Sequence, residues 1–240
     1  MRERLDVQKK RKKRFTWYFL FFLVIVAIYS FLNSAYFTVT TIEVAGNKYF
    51  TREEILSFGD LTTGRNIFAV NTSASQNALA DQPRIAKATV RKQYPNKLQV
   101  QIQERVPVAI LAYGGSYLEV DKAGYVLGVL ADNQPLTLPL ITGSSPSYVR
   151  TGMRLEQPQI RDGAAIAGTL TKDLSHQIAE INVTDPGNIV LVTVSRVQVL
   201  WGPASQLEEK AAVLHTLTKE LTDKAGKLLD LRVPKSPVLR

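Results

Sequence analysis

The chain has 240 residues, 45% of them hydrophobic, which is ordinary for one or two globular domains. Its formal net charge of +9 at pH 7 would by itself suggest nucleic acid or an anionic membrane as a partner. Cysteine is absent, which excludes disulfide bonds, thiol catalysis and cysteine-ligated metals.

Most of the excess positive charge lies in residues 1–14. Eight lysines and arginines stand there against Glu3 and Asp6, and the run at residues 9–14 reads KKRKKR. The next 18 residues, 15–32, carry no charge, and as a helix they would be about 27 Å long, enough to span a bilayer. The sequence therefore predicts a basic tail followed by a single transmembrane helix.

The distribution of cations also predicts the orientation of this helix. No lysine or arginine occurs from Phe15 to Asn47, so the positive-inside rule keeps the tail in the cytoplasm and exports the rest of the chain. The tail would then contact anionic lipid headgroups. A nucleic-acid-binding tail is one alternative. A cleavable signal peptide is another, although the apolar stretch is long, rich in aromatics and followed by no convincing cleavage site.

The residues after the apolar stretch predict a small β-α-α-β-β domain at residues 37–105. A strand at residues 38–45 is followed by a helix that opens with the capping box Thr51-Arg-Glu-Glu54, and a second helix starts after Asn71. Two more strands follow, and the second of them ends at residue 103. This order gives a small sheet with helices on one face.

The last of these strands ends in a charged pair and a proline. Leucine, valine and isoleucine alternate with glutamine up to residue 103, and the alternation stops at Glu104, Arg105 and Pro107. An unbroken apolar run then begins at Val108. Proline does not fit the interior of a sheet, so the sequence predicts a domain junction at these three residues.

Closely spaced strands predict a second, mainly antiparallel β domain at residues 106–233, with two helices inserted in it. Its last predicted strand, residues 228–233, precedes a tail at residues 234–240 that contains Pro234 and Pro237. Prolines oppose continuation of a ladder, so this strand is expected to be a sheet edge. An edge offers unpaired N–H and C=O groups to which another chain can add a strand.

The sequence contains no catalytic pattern. Its two histidines, His176 and His215, have no second histidine at metal-ligand spacing, and neither a nucleophile elbow nor a phosphate-binding glycine loop is present. We therefore expect a protein that is not an enzyme and has no cofactor, metal or small-molecule substrate.

A series of short motifs resembles one family of bacterial proteins. In chain order the motifs are VxxIxVxGN at residues 39–47, GxNIFxV at 64–70, PxIxxAxVR at 83–91, YPNKLxVxIxERxPVA at 94–109, LxVDxxG at 118–124, LPLITG at 138–143, LWG at 200–202, Lys210, and DLR at 230–232. Each motif is weak alone, but their order and spacing are specific. The chain resembles the FtsQ/DivIB cell-division proteins, which have a short cytoplasmic tail, one transmembrane helix, a POTRA domain and a β domain.

The resemblance implies a non-catalytic scaffold of the divisome. Similar proteins bind the extracytoplasmic parts of FtsB (DivIC) and FtsL, which are small coiled-coil membrane proteins, and help to control septal peptidoglycan synthesis. It also implies a single-pass type II protein of the bacterial inner or plasma membrane, located at the division septum.

In family members the partner adds a strand near the last strand of the β domain. Carried onto matching positions, this nominates five residues: Leu231, Arg232, Val233, Pro234 and Lys235. Trp201 is a second candidate contact, although a tryptophan in a hairpin is more typical of a core.

Two other functions fit parts of the pattern. A membrane-anchored export chaperone or translocation subunit could also carry a POTRA-like domain, but such proteins usually carry several in tandem and no second copy is found in the sequence. An anchored cell-wall hydrolase or transferase would need a carboxylate or hydroxyl-lysine site that the sequence does not show.

Overall fold

The structure is a computed structural model that describes residues 2–131, 135–221 and 226–240. It is α+β, as predicted, and its contacts divide the chain into two compact units. The first comprises residues 1–80 and 87–103, and the second comprises residues 81–86 and 104–240.

The chain begins with a long helix, α1 (Arg2–Leu32), which extends the predicted apolar helix back through the basic tail. Within it, Phe15–Leu32 has a mean hydropathy of 2.2, and none of this stretch is buried against the rest of the chain. Among the described residues it is the one helix that is long and apolar enough to cross a membrane. A helix that is apolar all round and unburied matches lipid rather than water.

The elements of the first unit follow the predicted β-α-α-β-β order. They are β1 (Thr41–Ala45), α2 (Arg52–Phe58), α3 (Thr72–Ala80), β2 (Ile85–Gln93) and β3 (Lys97–Glu104). The three strands lie in the order β1-β3-β2, with β1 parallel to β3. The predicted capping box is confirmed, because Thr51 accepts a hydrogen bond from the backbone N–H of Glu54 and the carboxylate of Glu54 accepts one from the N–H of Thr51.

The core of the first unit uses the alternating residues of β3. Leu98, Val100 and Ile102 are buried, whereas the glutamines between them are half-buried or exposed. Ile55 on α2 and Leu79 on α3 are fully buried as well. One face of the sheet therefore packs under the two helices, and the glutamine face stays open.

The second unit is built on one nine-stranded sheet. Its elements are β4 (Pro107–Tyr113), β5 (Ser116–Asp121), β6 (Val126–Leu130), β7 (Leu140–Thr142), α4 (Pro158–Thr169), α5 (Lys172–Ser175), β8 (Ile178–Asn182), β9 (Ile189–Thr193), β10 (Gln198–Gly202), α6 (Leu207–Leu221), β11 (Leu228–Asp230) and β12 (Val238–Leu239). The strand order is β12-β11-β10-β9-β8-β7-β4-β5-β6.

This sheet contains antiparallel pairs, as predicted, and also parallel pairs that were not predicted. β7 is parallel to β4 and to β8, and β10 is parallel to β11. Parallel neighbours need a crossover connection, and helices supply it in two of the three pairs: α4 and α5 join β7 to β8, and α6 joins β10 to β11. Between β4 and β7 the chain passes through β5 and β6 instead. The helices are therefore part of the sheet topology, and not insertions in a run of hairpins.

The residues of the predicted junction connect β3 to β4. Glu104 ends β3 and Pro107 begins β4. Between them, Arg105 Nη1 donates to Asp121 Oδ2 at 2.8 Å, and its guanidinium lies 3.6 Å from the ring centroid of Tyr125. The charge that interrupts the sequence pattern is thus paired and largely buried within the second unit.

Candidate partner-binding edge

The last strand of the described sheet differs from the prediction. β11 ends at Asp230, three residues earlier than expected, and residues 231–237 form a turn that returns the chain to pair β12 with β11. The predicted strand at residues 228–233 is therefore confirmed only for residues 228–230, and the expectation that it forms the sheet edge is wrong because β12 pairs outside it. Pro234 and Pro237 lie in the turn, where they do not interrupt the ladder, so β12 is the outer strand at this side of the sheet.

The pairing of β12 determines which of its backbone groups face outward. Leu228 and Arg240 exchange two hydrogen bonds, with N···O distances of 2.9 and 2.8 Å. Leu239 lies opposite Leu229, one residue along from that pair. Hydrogen-bonded and non-hydrogen-bonded pairs alternate in an antiparallel ladder, so the N–H and C=O of Leu239 point away from β11. These are the groups that an added strand can bond.

The surface around this edge combines apolar and basic side chains. Val233 is 61% exposed, Val238 is 43% exposed and Leu239 is 37% exposed. Lys235 in the turn and Arg240, the residue after β12, are exposed as well. We refer to the outward backbone of β12 and these five side chains as the β12 edge. Its composition suits an extended segment that brings apolar and acidic side chains.

The five residues nominated from the family resemblance have different environments. Leu231 is fully buried and its N–H donates to the carbonyl of Leu200 at 2.9 Å, so its side chain belongs to the core. Pro234 is also buried, whereas Val233 and Lys235 are exposed. The sequence does not predict the strand at Val238 and Leu239, because a two-residue strand is too short to show alternation.

Arg232, the remaining nominated residue, is exposed and paired. Its Nη2 lies 2.6 Å from Asp230 Oδ2, and its backbone N–H also donates to Asp230. The side-chain hydrogen bond from Arg232 lowers the pKa of Asp230, and the same bond raises the pKa of Arg232. The pair joins the end of β11 to the first residues of the turn that leads to β12.

A buried lysine supports the strand that holds this edge. Lys210 on α6 is fully buried, and its Nζ donates to the carbonyls of Trp201 at 2.7 Å and Pro203 at 3.1 Å. Burial lowers the pKa of Lys210. Trp201 itself is fully buried, so it belongs to the core and not to a contact surface. The hydrogen bonds of Lys210 therefore connect α6 to the end of β10. β11 pairs with β10, and β12 pairs with β11.

Other parts of the described chain show weaker signs of a functional site than the β12 edge does. No group of three or more histidine, aspartate or glutamate side chains that could hold a metal is found in the described ranges. A shallow polar depression on the open face of the first sheet is lined by Thr89, Arg91, Gln99 and Gln101. It brings no nucleophile and general base together.

Two family models match this chain. The model described as "POTRA domain, FtsQ-type" matches residues 37–105, and the model described as "Cell division protein FtsQ/DivIB, C-terminal" matches residues 109–232.

Curated relatives are similar over most of the chain. Cell division protein FtsQ of Streptomyces venezuelae is 26% identical over 220 residues, covering 90% of this chain and 79% of the relative. Cell division protein DivIB of Clostridium tetani is 27% identical over 196 residues, covering 80% of this chain and 74% of the relative. Cell division protein FtsQ of Anaeromyxobacter sp. (strain K) is 31% identical over 186 residues, covering 76% of this chain and 63% of the relative.

A solved structure is also similar, namely the major extracytoplasmic domain of the cell division protein DivIB from Geobacillus stearothermophilus. It is 14% identical, with a TM-score of 0.35, and the match covers 49% of this chain and 97% of that domain. The C-terminal family model alone spans more than half of the chain, and it lies in order behind the FtsQ-type POTRA match. The chain therefore belongs to the FtsQ/DivIB family of bacterial cell-division proteins.

Proposed function

We propose that this chain is a non-catalytic, membrane-anchored scaffold of the cell-division machinery, and that its β12 edge binds an extracytoplasmic segment of an FtsB/DivIC-like partner by strand addition. Together with an FtsL-like protein, the complex would help to control septal peptidoglycan synthesis. The observation that carries the proposal is the outward-facing N–H and C=O of Leu239, on a sheet edge flanked by exposed apolar and basic side chains. Family membership supports the role in cell division.

The chemistry of the β12 edge indicates what the partner segment should contain. An added strand gains main-chain hydrogen bonds from the edge, and its alternate side chains supply specificity. Val233, Val238 and Leu239 would pack against apolar side chains of that segment. Lys235 and Arg240 would attract acidic ones, so binding should weaken as salt is added.

The substitution Leu239→Pro tests the backbone contact directly. Proline removes the outward N–H of residue 239, whereas the N–H groups of Val238 and Arg240 that face β11 remain. We expect the affinity for the partner segment to fall by about tenfold or more, since one hydrogen bond contributes about 1 kcal/mol and the proline ring also obstructs the added strand. The measurement is binding of the labelled partner segment to the full chain in detergent.

The matched control is Leu239→Ala, which keeps the N–H and removes most of the side chain. It should bind more tightly than Leu239→Pro. If Leu239→Pro binds as tightly as the parent chain, and circular dichroism shows that it is folded, the β12 edge is not the binding site.

A cysteine placed at Ala45 tests the proposed topology, in which the tail is cytoplasmic and both units are exported. The chain has no cysteine of its own, and Ala45 is exposed at the end of β1. A membrane-impermeant thiol reagent should label Ala45→Cys in spheroplasts without lysis, and should label Gln8→Cys in the basic tail only after lysis. The reverse pattern would mean that the helix is inserted the other way round.

A further inference from the structure

A row of aromatic rings, most of them exposed, lies where α1 joins the rest of the first unit. The ring centroids of Phe31 and Phe37 are 5.2 Å apart, those of Phe37 and Phe68 are 5.0 Å apart, and those of Phe68 and Tyr94 are 5.5 Å apart. Tyr36 packs edge-on against Phe37 with a centroid distance of 5.1 Å. Tyr36 is 60% exposed, Phe68 is 45% exposed and Tyr94 is 61% exposed. We call Tyr36, Phe37, Phe68 and Tyr94 the aromatic face.

Hydrogen bonds attach the aromatic face to the end of α1. Asn66 Nδ2 donates to the carbonyl of Leu32, the last residue of the helix, at 2.7 Å. The N–H of Ile67 donates to the carbonyl of Phe37 at 2.8 Å. The last carbonyls of a helix lack partners within the helix, so Asn66 acts as a cap from a distant loop. Phe68, two residues after Asn66, is thereby held close to the point where α1 ends.

The length of the apolar segment indicates where this point lies in a membrane. Eighteen helical residues extend about 27 Å, slightly less than the bilayer hydrocarbon core of about 30 Å. The headgroup regions bring the total thickness to about 40–45 Å, which leaves a layer of about 5–7 Å on each side. Groups hydrogen-bonded to Leu32 therefore lie within or next to the headgroup layer.

Two of the four residues of the aromatic face, Tyr36 and Tyr94, are of a type that favours this layer, and the two phenylalanines add apolar surface between them. Tyrosine and tryptophan are enriched at membrane–water interfaces because their rings are apolar and their N–H or O–H groups are polar. Trp17 and Tyr18 occupy the matching position at the other end of the apolar segment. Lys92 adds a cation at the border of the face, where its Nζ lies 3.4 Å from the carbonyl of Phe68. A lysine at such a site can reach headgroup phosphates.

We propose that the aromatic face inserts into the phospholipid headgroup layer of the membrane that α1 spans, so that the first unit rests on lipid. The proposal depends on the membrane anchor of the proposed function and is independent of the β12 edge. The lipid surface is the expected occupant because the face is continuous with the apolar helix and is tied to its last carbonyl.

Spin labels on single cysteines test this placement in the full chain, reconstituted into phospholipid vesicles that contain no other protein. Labels at Phe68→Cys and Tyr94→Cys should be more accessible to dissolved oxygen, which concentrates in the bilayer, than to a water-soluble nickel complex. The control is Ala45→Cys at the far end of β1, which should show the opposite preference. All three positions are exposed in the structure, so the substitutions should not prevent folding.

Two outcomes would overturn the proposal. Aqueous accessibility at residues 68 and 94 equal to that at residue 45 would mean that the face is solvated. Low accessibility to both reagents would mean that protein, such as a second copy of the chain, covers it. Flotation of the vesicles together with the labelled chain tests the membrane anchor separately. Binding of the partner segment by the same variants tests the β12 edge. A failure of the aromatic face can therefore be distinguished from a failure of the anchor or of the β12 edge.

Discussion

Replacing Asp121 with asparagine is expected to lower the free energy of unfolding of the second unit by about 3–5 kcal/mol, the usual cost of breaking a buried ion pair from one side. Asp121 is 5% exposed, and its Oδ2 accepts from Arg105 Nη1 at 2.8 Å. Its Oδ1 accepts from the backbone N–H groups of Ala123 at 2.9 Å and Tyr125 at 2.8 Å. Asparagine can keep these backbone bonds, but it leaves the guanidinium of Arg105 without a counter-charge.

Urea unfolding of the full chain carrying Trp17→Phe in detergent, followed by the fluorescence of the remaining Trp201, measures this loss because Trp201 lies in the core of the same unit. The matched control is Asp185→Asn. Asp185 also accepts a hydrogen bond from a backbone N–H two residues on, that of Gly187 at 2.8 Å, but it is exposed. Its replacement should change the free energy of unfolding by no more than about 0.5 kcal/mol. Equal losses for the two variants would show that the Arg105–Asp121 pair adds nothing.

Replacing Lys210 with alanine is expected to cost about 3–5 kcal/mol for two physical reasons. It removes the donor to the carbonyls of Trp201 and Pro203, and the buried carbonyl of Trp201 is left unsatisfied at a cost of about 1–3 kcal/mol. It also leaves a cavity where the aliphatic part of the lysine packs. The same unfolding measurement applies, and the partner affinity of the folded variant should fall because the end of β10 carries β11 and β12.

Lys210→Met separates these two contributions. Methionine fills most of the volume but donates no hydrogen bond, so we expect a smaller loss of about 1–3 kcal/mol. A methionine variant as stable as the parent would show that the hydrogen bonds only compensate for burying the charge.

The protonation of Lys210 can be tested by measuring, at several pH values, the difference in free energy of unfolding between the parent chain and Lys210→Met. Because burial lowers the pKa of Lys210 from its ordinary 10.5, the folded state holds this proton less tightly than the unfolded state. The stability that this group contributes is complete above pH 10.5 and falls as the pH drops through the lowered pKa. The advantage of the parent over Lys210→Met should therefore widen as the pH rises towards 10.5.

Local features of the fold could be read from the sequence because their causes are local. The alternation of Leu98, Val100 and Ile102 follows the two-residue period of a strand, and Thr51 and Glu54 complete a hydrogen-bond pair within one turn. The prediction of a long apolar helix at residues 15–32 rests on comparing the length of the uncharged stretch with the thickness of a bilayer. Each of these predictions involves residues close together in the chain, and the structure confirms the strand, the capping box and the long apolar helix.

The β12 edge was only partly predictable. Its location at the end of the chain followed from the family resemblance, but the prolines at 234 and 237 suggested that the ladder stops. Proline breaks a ladder only at a position where a backbone N–H is needed for the ladder or where the proline ring would clash. Neither condition holds in a turn. Whether a proline lies in a strand or in the turn after it depends on where the chain folds back, which is a property of the sheet.

By itself the sequence determined the long apolar helix at residues 15–32, the order of the helices and strands in the first unit and membership of the family, since helix length, caps, alternation and motif order are all properties of neighbouring residues. Only the tertiary structure decided that β12 covers β11, that Lys210 is buried against two carbonyls, and that Asn66 caps α1 at Leu32. These contacts join residues that are 7 to 34 positions apart in the chain. Which atoms meet over such separations is set by the packing of the whole unit, and neither the period nor the composition of any one segment specifies it.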